Sequence, residues 1–107
     1  MINVVVNRNT WYRGEGMGES RLLRKDGKKC CVGFLAIELG ACRKDLLDID
    51  ALFGVRVKDI DRFNDTHDEV LIEAYIANDA TNITEAEREA KLIIIGQHMN
   101  VNFSFIN

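Results

Sequence analysis

The chain has 107 residues, with 47% hydrophobic and 29% charged residues and no proline. That length suits one compact domain spanning 1–107, and the apolar content is enough to oppose the entropy of ordering the chain, so wholesale disorder and polyproline ligands are excluded. The net charge of −3 hides an uneven layout: residues 1–44 carry nine Lys/Arg against four Asp/Glu, and residues 45–107 carry five against thirteen. Two segments of opposite sign either match each other within the chain or present two faces of opposite sign.

The first element is Ile2-Asn3-Val4-Val5-Val6, a short β-branched run expected to form a strand. Residues 7–19 are polar and include Gly14, Gly16 and Gly18, which reads as a loop. Ser20–Arg24 fits a helical turn or a strand, and Asp26-Gly27 marks a tight turn. From Lys29 to Leu39, the spacing of Cys31, Phe34, Leu35 and Glu38 predicts a helix, and Gly40 stands where a left-handed residue would end it. Gly33 lies inside that helix, costs about 1 kcal/mol there relative to Ala, and is suited to close approach by another backbone.

In residues 41–65, Leu46, Leu47, Ile49, Leu52 and Phe53 fit a short covering helix, and Val55 and Val57 fit a short strand. Two capping-box patterns follow, Thr66–Glu69 and Thr84–Glu87, each a helix start. The first leads into Val70, Leu71, Ala74 and Ala77, the second into Ala90 and Leu92–Ile95, with Asn78-Asp79 and Asn82 in the connection. Val101–Ile106 alternates apolar and polar until its final pair and reads as a half-buried strand whose natural partner is the N-terminal one. The expected architecture is α+β: a small sheet joining the N- and C-terminal strands, with about three helices on one face.

Trp11-Tyr12-Arg13-Gly14, then Ser20-Arg21-Leu22-Leu23, then Gly27–Phe34 with its Cys30-Cys31 pair, resemble a pattern in short bacteriophage and prophage proteins. Asn78-Asp79, Arg88-Glu89 and a closing strand extend the likeness, whereas residues 43–65 match poorly and Val32 replaces the usual Leu. The resemblance implies a phage-type accessory protein that binds a host factor, inhibition of antiviral defence included.

The candidate binding element is the segment Trp11, Tyr12, Arg13, Gly14, Gly16, Gly18, Ser20 and Arg21, with Lys28 beside it. Glycines let backbone N–H groups converge on an anion, and arginines add bidentate contacts. Two ligands fit this chemistry, an acidic protein surface or a nucleotide or other phosphate, and Trp11 either stacks on a ligand or plugs the core edge. The segment is neither a P-loop nor a dinucleotide fingerprint, since no Gly-Lys-Ser/Thr follows and Glu19 replaces the third glycine.

Cys30 at a helix start beside Lys28 and Lys29 is a candidate nucleophile if exposed, while Cys31 reads as core. Adjacent cysteines do not make a zinc site, and His67 and His98 are isolated. No nucleophile, base and orienting group assemble, so the expectation is a protein that is not an enzyme and uses no cofactor or metal. Asp79 and Arg88 are read as fixing the connection between the last helices, and the acidic run 59–73 as a solvated face. The odd cysteine count, with no apolar run long enough to span a bilayer, gives the expectation of a cytoplasmic protein. A host protein is the expected partner, nucleic acid and membrane are not, and a homo-oligomer joined through its oppositely charged faces is an option.

Overall fold

The computed structural model describes residues 1–50 and 58–107, and within 58–65 the side chain of Phe63 alone. Strand β1 (Ile2–Asn7) and strand β2 (Val101–Ile106) lie side by side in parallel, Ile2 opposite Val101 and Asn7 opposite Ile106. Parallel strands need a crossover, and here everything between the two strands serves as one. Alternation sorts the two faces: Val4, Val6, Val101 and Phe103 are buried, while Asn3, Val5, Asn102 and Ser104 are exposed. The helices therefore cover one face, as the sequence pattern predicts.

Helix α1 (Cys31–Glu38) packs against β1 and is buried from Cys31 through Ala36. It ends in a Schellman motif: Gly40 has φ +91°, its N–H donates to Ile37, and the Ala41 N–H donates to Ala36. Gly33 is where the fold requires the absence of a side chain. A Cβ there would stand 2.0 Å from the Leu22 carbonyl oxygen, so the extended segment 20–24 crosses directly over the helix. That segment forms neither a helical turn nor a regular strand. Leu23 bridges Leu47, and Arg24 to Lys28 closes the turn at Gly27.

Helix α2 (Arg43–Leu46) is one turn long, and Leu47 and Ile49 lie beyond it in irregular chain. The proposed contributions of Leu52, Phe53, Val55 and Val57 fall outside the described residues. Helix α3 (Lys58–Asp79) begins earlier than Thr66, and instead carries a break at His67, with φ −121° and ψ 18°. The start signal at Thr66 thus marks a kink inside a longer helix, because a Thr-led capping sequence offers the backbone a local alternative to the regular ladder. The second signal holds in full: Thr84 caps helix α4 (Glu85–His98), its Oγ accepting from the Glu87 N–H while the Glu87 carboxylate accepts from the Thr84 N–H.

Helix α3 packs on α1 and α4, and α4 packs on β2. Gly96 lets α4 approach that strand, since a Cβ would come within 2.7 Å of the Val101 carbonyl. Asn100, in the left-handed region at φ +59°, turns the chain from α4 into β2, and its carbonyl accepts the Ile2 N–H.

Candidate functional site

The last two residues of α3 organise the surroundings of the glycine-rich loop. Asn78 is fully buried. Its Oδ1 accepts from the Trp11 indole N–H at 2.8 Å and from the Cys31 N–H at 3.0 Å. Its Nδ2 donates to the Tyr12 carbonyl and to the Asp79 carboxylate, both at 3.1 Å. One amide thus caps the N-terminus of α1, anchors the indole and holds the loop, with both ends of the amide engaged. Asp79, also buried, accepts from the Ser20 hydroxyl at 2.6 Å and the Ser20 N–H at 3.3 Å.

The backbone completes the fastening. The Gly14 N–H donates to the Asn78 carbonyl at 2.8 Å, and the Gly16 N–H to the Asp79 carbonyl at 3.0 Å. Arg88 reaches from α4 to the carbonyls of Ala77 and Asn78 at 2.8 and 2.9 Å, and its Nε donates to Glu85 at 3.2 Å. A guanidinium at the carbonyl end of α3 satisfies groups that the helix leaves open. Arg88 therefore fixes the connection between the helices, but through backbone carbonyls and not through Asp79.

These contacts correct the anion-cradle reading of the loop. The N–H groups of Gly14 and Gly16 are already bonded inside the protein. Arg13 is committed too: its Nε donates to Glu85 at 2.6 Å, another nitrogen donates to the carbonyls of Arg8 and Trp11, and the guanidinium lies 4.4 Å from the Trp11 ring centroid. Trp11 is 3% exposed and packs 5.1 Å from the Phe105 ring, so it plugs the core and offers no face for stacking a base. Tyr12 carries Arg24 over its ring at 4.2 Å. Arg21 folds back to the carbonyls of Ser20 and Gly18. Gly18 and Lys28 are exposed.

The cysteines fall into two kinds. Cys30 and Cys31 are fully buried, and Cys42 is exposed. Burial pushes the Cys30 thiol up to about 12 and the Cys31 thiol well above its ordinary value. A thiol in that state is not a nucleophile near neutral pH, which removes the condition that the Cys30 reading needs. Among the described residues no group of three His, Cys, Asp or Glu side chains is placed to hold a metal ion. No described helix is long and apolar enough to cross a membrane.

Beyond the fastened part of the loop, the surface turns apolar. Met17 at the loop tip is 70% exposed, and Ile72 and Ile76 on α3 are 51% and 46% exposed. With Tyr75 they line an open groove of about 300 Å³, floored by Ser20 and Asp79 and edged by Asp50. Ile76 also borders a second hollow of about 270 Å³ toward α4, lined by Ala77, Ala80 and Ile95, with Glu73 and Lys91 at its rim. Gly18 and Ser20 are thus the loop candidates that reach this groove, whereas Trp11, Arg13, Gly14 and Gly16 serve to hold its wall. Sequence reasoning missed Ile72, Tyr75 and Ile76. The available signal was Ile72 and Ile76 at i, i+4, off the inward stripe of Leu71, Ala74 and Asn78.

No protein-family model matches the chain, and no significant match was found among curated proteins or solved structures.

Proposed function

We propose that the chain is a non-catalytic binding protein that takes an apolar, basic segment of a partner protein into the groove between Met17 and α3. The observation that carries this reading is the cluster of Met17, Ile72 and Ile76, three large apolar side chains about half exposed or more around one concave surface. Apolar side chains grouped in a groove and rimmed by polar residues are the usual mark of a docking place. Asp50 edges it, and Asp68, Glu69 and Glu73 flank Ile72 along the same helix, so the surroundings favour a partner segment with Lys or Arg beside its apolar anchors. An amphipathic helix with such residues at i, i+3 and i+4 fits this chemistry. Buried thiols and committed loop donors support a binding role over a catalytic or phosphate-holding one. The phage-type sequence pattern makes a host factor, antiviral defence components among them, the partner in view.

The test compares the native chain with Ile72→Asp and Ile76→Asp as baits in host lysate. Both positions are about half exposed, so the variants are expected to keep the fold, which their circular dichroism spectra check. A protein retained by the native chain and lost by both variants is the expected result. Identical captures by all three baits would refute the groove as the docking place. The same reading expects no thermal shift with a panel of nucleotides.

A further inference from the structure

The groove at Met17 has a charged floor. Asp79 is 3% exposed and still lines the groove beside Ser20. The loop clamps it at two points. The Gly16 N–H donates to its backbone carbonyl at 3.0 Å, and Ser20 donates to its carboxylate through the hydroxyl at 2.6 Å and the N–H at 3.3 Å. The Asn78 amide adds a further bond to the carboxylate at 3.1 Å. All of these donors are neutral. Among the described residues no Lys or Arg forms an ion pair with Asp79, and Arg88, near the same helix end, directs Nε to Glu85 and Nη1 to the carbonyls of Ala77 and Asn78. A carboxylate withdrawn from water gains from a cation brought to it, and the C-terminal end of a helix favours the same sign of charge.

The bonds are shared unevenly between the two carboxylate oxygens. Oδ1 accepts from the Ser20 hydroxyl and the Asn78 amide, whereas Oδ2 accepts from the Ser20 N–H alone, at 3.3 Å. A carboxylate oxygen accepts about two hydrogen bonds, so Oδ2 keeps capacity for a short, charge-assisted one. A guanidinium binds a carboxylate best through both oxygens at once, and Oδ1 is already filled. A primary ammonium is a compact charge that needs only one oxygen. The walls above this floor are apolar, with Met17, Ile72, Tyr75 and Ile76 around a space of about 300 Å³. Met17 stands at the tip of a turn closed by the Glu19 N–H on the Gly16 carbonyl at 3.2 Å, with Gly18 at φ +81°. A flexible thioether held there packs well along a chain of methylenes. A lysine side chain joins such a chain to an ammonium, and Asp50 at the edge adds a second negative charge on its way in.

We infer that the groove takes a lysine side chain of the partner segment, with its methylene stem against Met17 and Ile76 and its ammonium on Oδ2 of Asp79, which selects Lys over Arg. The inference rests on the groove being the docking place, and it adds which partner residue enters and what recognises it. The neutral donors fix the carboxylate before the partner arrives, so little ordering of the site accompanies binding.

The probe is n-butylammonium, the lysine side chain as a free ion. It is titrated into the full chain at constant ionic strength, under reducing conditions because Cys42 is exposed, while the amide resonances of Ser20, Ile76 and Asp79 are followed by NMR. Saturable shifts at those residues are expected. n-Propylguanidinium is expected to bind more weakly by about tenfold or more, the scale of one charged hydrogen bond, a comparison that needs no variant. Asp79→Asn is expected to lose the saturable shift and keep the circular dichroism spectrum, and Met17→Ala to weaken binding. No saturable shift with butylammonium overturns the inference. So does equal affinity for the two probes, or native affinity in a folded Asp79→Asn chain. The two readings fail differently. Capture lost in Ile72→Asp and Ile76→Asp, without butylammonium binding, refutes the lysine site and keeps the docking groove. Identical captures refute the groove, and the partner lysine with it, even where butylammonium binds.

Discussion

Asn78 shows what a single amide does when every polar atom is engaged. It serves the indole of Trp11, the first N–H of α1 and the loop carbonyl of Tyr12, and its own carbonyl receives Gly14 and Arg88. Each such bond is worth about 1 kcal/mol net, but orphaning a buried partner costs about 1–3 kcal/mol. Trp11→Phe removes one donor and leaves Asn78 bonded to Cys31, so we expect a loss of about 1–3 kcal/mol in chemical denaturation. Asn78→Ala strands several groups together, and a loss of about 3 kcal/mol or more is expected on the same scale. Equal effects of the two changes would contradict the central place of the amide. In the sequence, Asn78-Asp79 reads as an ordinary turn signal; its role depends on residues 47 to 67 positions away.

At the scale of elements, the predictable ends were those written in local chemistry. Thr84 and Glu87 sit within one turn of each other, and the Gly40 cap needs only its own backbone, so both could be read from neighbours along the chain. The Thr66 signal used the same code and misled about where the helix begins, since α3 continues on its N-terminal side. Gly33 is the sharper case. By propensity alone, Ala in its place would stabilise a helix by about 1 kcal/mol. The Leu22 carbonyl, 2.0 Å from the site of the added Cβ, reverses that sign. Gly33→Ala is therefore expected to destabilise, by about 1–3 kcal/mol, the scale of overpacking, and a raised melting temperature would show that the two segments can separate cheaply.

Over the whole molecule, the unequal charge of the two halves is partly spent internally. Arg8 with Glu89 and Arg13 with Glu85 join the basic first part to the acidic last helix. Burial tends to raise the Glu85 carboxyl, but Arg13 and Arg88 together outweigh it and hold the group below its ordinary value. A carboxyl depressed in the folded state contributes fully above the unfolded value of about 4.3, and its contribution fades as pH falls toward the folded value. The denaturation midpoint is expected to drop below about pH 4.3, and less steeply in Glu85→Gln. An unchanged pH profile in that variant would remove Glu85 from the account. The effect is modest because half of the Glu85 side chain meets solvent.

The α+β class, the pairing of the two terminal strands, the α1 and α4 helices and their caps follow from hydrophobic period and nearby polar residues, because both act over a few positions of chain. The glycine-rich loop follows from composition, but its state does not. Whether Gly14 and Gly16 present their N–H groups to solvent or to α3 turns on Asn78 and Asp79 arriving from more than sixty positions away. The apolar groove at Met17, Ile72 and Ile76 likewise exists only once loop and helix are side by side, since no stretch of chain contains it. Local chemistry is encoded between neighbours, and a surface assembled from distant segments takes its shape from how the whole chain packs.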